Sequence, residues 1–262
     1  YQGGLGLPDE AYYREEKHES IREAYVVHIQ KMLELAGWDQ AAAKQAAATI
    51  FEFETKLASN HWNNVETRDA EKTNNLTSFE SLRKLTANFD WNTWFEGAKI
   101  SPKVLDESIV MMPSFFESLK ETFSESNLEA IKLWMCWNLI SQAAPYLSQD
   151  FVDERFSFYG TTLTGAPVNR ARWKRAVSLV EGSLGEAVGK IYVEKYFPIE
   201  AKKRMDELVQ YLIDAYKHSI ENLSWMSDET KKKALVKLTK FTPKIGYPVK
   251  WKDYSSIKID RN

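Results

Sequence analysis

Apolar side chains recur along this chain at helical rather than strand spacing. Residues 9–36 carry Tyr13, Ile21, Tyr25, Ile29, Met32 and Leu33 near that period, with Asp9 placed to cap the start and Gly37 to stop the run. A second helix is predicted from Asp39 through Ala-rich sequence to Leu57, its Ile50, Phe53, Leu57 stripe facing a core. Residues 60–90 are polar and rich in Asn and Thr, which predicts loop and short helix. Ser101-Pro102 reads as a cap followed by proline at the first helical position. Pro113 opens another helix, and Ser124 to Ala144 forms one more before Pro145 ends it.

From 148 to 240 the helical pattern is almost continuous, punctuated by Gly160, Gly165-Ala166-Pro167 and Pro198. Ser227-Asp228-Glu229 starts a last helix, Lys231 to Lys240, and Pro243 to Pro248 reads as extended. No strict alternation is long enough for a strand, and no repeat of fixed period appears. The fold class is therefore all-α, a multi-helix irregular bundle, treated as one region over residues 1–262.

Composition sharpens this picture. Eleven Gly and eight Pro in 262 residues, beside abundant Ala, Glu, Lys and Leu, suit helices. Thirty-five basic against 37 acidic side chains leave a net charge of −2, without the positive excess of a nucleic-acid binder. No apolar stretch approaches the ~18 residues that span a bilayer, and Tyr1-Gln2-Gly3-Gly4 has none of the features of a signal peptide. The single cysteine, Cys136, excludes an internal disulfide framework and a cysteine-based zinc site, and its apolar setting predicts an inert thiol. Two sequons, at Asn75 and Asn222, are what chance supplies. A cytoplasmic location is expected.

Candidate chemistry is sparse. The four histidines, His18, His28, His61 and His218, form no His-Glu-x-x-His pair, so this chain cannot build a zinc peptidase site alone. Glu15-x-x-His18 matches half of a di-iron bundle site, but the second copy is missing, and a solvated helix face is expected. Gly3-Gly4-Leu5-Gly6-Leu7-Pro8 lacks the Gly-Lys-Ser/Thr of a phosphate loop and reads as a tight turn. Arg170, Arg172, Lys174 and Arg175 predict a structural ion-pair network with Glu181 and Glu186 rather than an anion site. Phe151, Phe156, Phe158, Tyr159 and Trp173 read as core, and Lys231-Lys232-Lys233 as a solvated face balanced by Asp228 and Glu229. No Gly-x-Ser-x-Gly elbow is present. No catalytic, cofactor-binding or metal-binding residue is assigned.

Five segments, taken together, carry a resemblance. They are Gln2-Gly3-Gly4-Leu5-Gly6-Leu7-Pro8 with Tyr12-Tyr13, then Phe158-Tyr159-Gly160, Arg172-Trp173-Lys174-Arg175 with Gly185 to Val193, Leu223 to Lys231, and Ile245-Gly246-Tyr247-Pro248. In this order and spacing they resemble the neprilysin and endothelin-converting-enzyme family of zinc metallopeptidases, in its bacterial branch. The resemblance implies an internal stretch of such an enzyme, truncated at both ends. Its zinc-binding motif and catalytic domain would lie beyond Asn262, so no catalytic or zinc residue carries over.

What the resemblance implies is a helical capping lobe that encloses a chamber and admits peptides while excluding folded proteins. Zinc is then implied for the full-length parent and no cofactor for this chain. The implied partners are the catalytic lobe of the same protein and peptide substrates, with no nucleic acid and no membrane. Self-association is expected through apolar surfaces exposed near the termini. Secreted animal members carry cysteines near positions aligning with Glu15 and Ala176, and their absence fits a reducing compartment. The competing expectation is a stand-alone helical binding module.

Overall fold

In the computed structural model, residues 1–87 and 89–260 are described, and their regular elements are all helical apart from one pair of two-residue strands. Where the sequence draws no internal boundary, they divide into two compact units, Tyr1–Asn169 and Arg170–Asn262.

The first unit is built on α1 (Ala11–Arg14), α2 (Glu19–Leu35) and α3 (Gln40–Ala58). The single helix expected over 9–36 is broken at Glu15, whose backbone is extended, and a 3-10 turn, Glu16–His18, precedes α2. Arg22 explains how the break is tolerated: its guanidinium donates to the carbonyls of Tyr12 (3.0 Å) and Glu15 (2.6 Å). Asp9 accepts from the Ala11 amide as expected, and Asp39 caps α3 through the amides of Ala41 and Ala42. Gly37 stops α2 with φ +92°, a conformation glycine adopts without a Cβ penalty.

Short elements follow. The strand β1 (Leu76–Thr77) pairs antiparallel with β2 (Ser108–Ile109), Leu76 opposite Ile109, and between them lie α4 (Phe79–Leu85) and α5 (Trp91–Ala98). A pair two residues long leaves no alternation to read. Ser101-Pro102 opens a 3-10 turn, Pro102–Leu105, rather than an α-helix. Then come α6 (Pro113–Thr122), α7 (Leu128–Ala143) and α8 (Gln149–Arg155), which runs directly into a π-helical turn, Phe156–Thr162.

The core of this unit lies where α2, α3, α7 and the π-turn meet. Tyr25, Ile29, Met32, Ile50, Trp137 and Phe158 are all buried there. A second cluster joins Phe53 and Leu57 of α3 to Met112 and Phe115 at the start of α6.

The second unit holds α9 (Arg172–Tyr196), α10 (Ile199–Asn222) and α11 (Asp228–Thr239). Ser227 caps α11 by accepting from the Thr230 amide, as its sequence predicts. Not one described residue of this unit is buried. Trp173, expected in the core, is 66% exposed, with Lys174 over its ring. The predicted ion-pair network also fails among the described residues: Arg170 donates to Ser178, Arg175 to the Arg170 carbonyl, and Glu186 accepts the Lys252 amide. On a solvated helix these side chains find nearer neutral partners, and exposed pairs add little stability. Lys233 does pair with Glu229 at 2.8 Å.

Candidate functional site

The glycine-rich opening is the most elaborately held segment of the first unit. Gln2 pairs reciprocally with the Trp62 backbone, its Nε2 donating to the carbonyl and its Oε1 accepting from the amide, both at 2.8 Å. His61 Nε2 lies 3.1 Å from the Gly3 carbonyl, Trp134 Nε1 donates to Gly4 O at 3.0 Å, and Tyr159 Oη donates to Gly6 O at 3.2 Å. Gly4 has φ +92°, and a Cβ there would crowd Trp134 and Leu57. Gly6 has a different reason: a Cβ would run into the Tyr25 hydroxyl. The turn predicted for this segment is thus a strap laid across α3 and α7, with its glycines set by close approach.

Beneath the strap sits Glu54, 1% exposed. Its Oε2 accepts from the Gly6 amide (3.1 Å), Tyr13 Oη (2.6 Å) and Tyr25 Oη (3.0 Å). Each tyrosine is itself supported. Tyr13 Oη accepts from the amides of Gly6 and Leu7, and Tyr25 Oη accepts from Trp137 Nε1 at 3.0 Å. Every donor points towards the carboxylate, a chain of polarised bonds in a dry setting. No salt bridge reaches Glu54 among the described residues. Burial pushes its carboxyl up to about 7, against the bonds from Tyr13, Gly6 and Tyr25 that hold it down. Burial and then the Glu54 charge raise the phenols of Tyr13 and Tyr25, keeping both as donors.

A second polar pair borders this hub. His28 is buried between a stacked Phe158 ring (4.9 Å) and the edges of Trp137 and Tyr159. Its Nδ1 lies 2.9 Å from Glu154 Oε1, while Nε2 has no partner among the described residues. Burial lowers its pKa, more than the bond and charge of Glu154 raise it.

Chemically, this arrangement holds a backbone in place. Glu54 is sealed from solvent, and its partners are amides and phenols with no nucleophile among them. The sequence singled out the strap, Tyr13, Phe158 and Tyr159, and the structure brings them together around Glu54 and Tyr25. Glu54 itself was missed, although its position one turn from Ile50 and Leu57 places a carboxylate on the apolar face of α3.

The remaining candidates do not assemble. Glu15 pairs with Lys17 (2.6 Å), and His18 stacks on Tyr12 (4.0 Å). His218 lies beside Asn222 on α10. Among the described residues no group of three or more His, Cys, Asp or Glu could hold a metal ion, and no helix is long and apolar enough to cross a membrane. Cys136 is partly buried.

Comparison with known proteins gives this helical bundle a family. Residues 1–248 match Peptidase family M13, and the chain belongs to that family. It is 31% identical over 255 residues to a neutral endopeptidase of Lactobacillus helveticus, covering 97% of this chain and 39% of the relative. It is 29% identical to endothelin-converting enzyme 1 of Homo sapiens, covering 94% of this chain and 33% of that protein.

Among solved structures, the zinc metalloprotease ZMP1 of Mycobacterium tuberculosis matches at 45% identity in its inhibitor complex, with a TM-score of 0.89 over 99% of this chain and 39% of that one. Its open state gives 0.86 and its partial open state 0.79, at 99% and 100% coverage of this chain. The chain therefore spans between a third and two fifths of the length of these proteins.

Proposed function

We propose that this chain forms the helical substrate-capping part of a neprilysin-like zinc metalloendopeptidase that hydrolyses peptides, and that it is inactive by itself. The observation that carries the reading is the family match over residues 1–248, joined to a zinc metalloprotease of the same fold at 45% identity. The capping role is supported by the first unit: a bundle with a dry core and a clamped strap is a stiff wall. Such a wall keeps bulk water and folded proteins from a reaction site.

Zinc is implied for the whole protein, and the residues present do not fit it. His28 Nδ1 is committed to Glu154, His61 Nε2 to the Gly3 carbonyl, and His18 is stacked on Tyr12. The metal chemistry is assigned to a catalytic part of the same protein, which is this chain's partner, with peptides as the shared substrate. The apolar side chains exposed along α9 and α10, among them Val177, Leu208 and Leu212, support such a partner. In isolation they favour self-association. A bacterial, cytoplasmic setting is supported by a single cysteine in 262 residues.

The test compares three preparations on a quenched fluorescent peptide and on a folded protein: this chain, the remainder of its parent, and the two together. The expected result is no turnover by the chain, and chelator-sensitive peptide cleavage that spares the folded protein when both are present. Turnover by the chain alone overturns the reading. So does a remainder that works equally well, with the same size selectivity, without it. The exposed apolar faces also favour a second reading, a stand-alone binding module, which micromolar peptide binding by the chain alone would support.

A further inference from the structure

The longest helix of the second unit is interrupted at its middle. Leu184, inside α9, has φ −129° and ψ 33°, and the helix continues on both sides. Sharp helix bends have few causes, glycine–serine pairs among them. Here Gly182-Ser183 precedes the break and Gly185 follows it. Ser183 Oγ donates back to the Leu179 carbonyl at 2.9 Å, a bond that bends helices.

Packing does not require these glycines. A Cβ at Gly182 or Gly185 would meet nothing within 4 Å, unlike Gly6 under its tyrosine. Neither has a positive φ. Two glycines in a helix interior without steric need are a standing loss of helix stability.

The two halves of α9 also have different attachments. Beyond the break, Glu186 Oε2 accepts the Lys252 amide at 2.6 Å, and Gly189 lies against the Trp251 ring. Before it, among the described residues, Lys174 and Ser178 bond only to near neighbours, Ser178 accepting from Arg170 just ahead of the helix. A cavity of about 540 Å3, lined by Glu181, Gly185, Glu186, Tyr192, Tyr247 and Trp251, leaves space beside the break.

From these observations we infer that Gly182–Gly185 is a hinge, at which the first half of α9 changes direction relative to the half held by residues 245–252. What the motion serves, opening and closing over peptides, rests on the proposed function. The hinge itself does not.

The experiment places spin labels at Lys174 and Lys195, both exposed on α9, in the full-length protein cleared of other reactive cysteines. A straight helix would separate these backbone positions by about 32 Å. The expected distribution is broad and centred below that distance. A control pair at Lys203 and Glu221 on α10 should be narrow.

Gly182→Ala with Gly185→Ala, which adds about fivefold helix preference per site, should narrow and lengthen the α9 distribution. It should also slow amide exchange over 182–186 tenfold or more. Ser183→Ala, which removes only the back-bond, should shift the distribution the same way by less. An α9 distribution as narrow as the control, or one that the double variant leaves unchanged while circular dichroism shows it folded, overturns the hinge. Neither readout needs peptidase activity, so failure of the functional reading remains distinguishable.

Discussion

Residues 1–169 and residues 170–260 are comparably helical and differently finished. The first unit closes two hydrophobic clusters and buries a carboxylate, an imidazole and three aromatic hydroxyl or indole groups with nearly every polar atom paired. The second contains the two longest helices, and none of its described residues is fully buried. Leu208, Tyr211, Leu212 and Tyr216 of α10 are half exposed or more. The contrast teaches that helix formation and core formation are separate achievements. Length and i,i+4 contacts serve α10, and the Ser227 cap with the Glu229–Lys233 pair serves α11, whereas the first unit is stabilised by excluding water from Tyr25, Glu54 and Trp137.

The same small substitution should therefore act oppositely in the two units. Gly6→Ala forces a Cβ into the Tyr25 hydroxyl and releases the strap from Glu54, and should cost about 3–5 kcal/mol in urea unfolding. An unchanged midpoint would mean the strap is not clamped as described. Ile50→Ala, at a position 0% exposed, should cost about 3 kcal/mol, while Leu208→Ala, at 50%, should stay within about 0.5 kcal/mol. Equal costs would erase the distinction between the units.

Acidity sharpens the comparison, because the groups that burial shifts furthest lie in the first unit. Glu54 ionises near 4.5 when unfolded and at about 7 when folded, so the folded state binds the proton more tightly. Its contribution to stability is present at low pH and falls by about 3 kcal/mol as pH rises from 4.5 to 7. His28 acts in the opposite sense: its lowered pKa removes stability as pH falls below 6.5. The difference between the wild type and Glu54→Gln isolates the first effect, and a pH-independent difference would refute it. A modest effect of opposite sign is expected at Gly182→Ala, about 1 kcal/mol of stabilisation measured by thermal melting, since nothing opposes the added methyl.

Much of the helical inventory was legible because caps and periodicity are local. Asp39, Gly37, Pro113 and Ser227 act where the sequence placed them. The break at Glu15 was not legible, because it depends on Arg22 reaching two carbonyls from the next helix. The helix Trp91–Ala98, capped by Asp90, lies in a stretch to which the sequence pattern assigned no element. Trp173 illustrates the opposite error: an aromatic residue at helical spacing predicts a buried face only if something covers it, and within its own unit nothing does.

By itself the sequence determined that this chain is helical, where most helices begin and end, and which family it resembles. Those properties follow from hydrogen bonds and steric preferences that span a few residues. Only the tertiary structure decided that Gly6, Tyr13, Tyr25, Glu54, Trp137 and Tyr159 meet around one carboxylate. Those residues lie up to 153 positions apart. Their juxtaposition depends on which helix faces pack together, a choice made by excluding water over the whole unit.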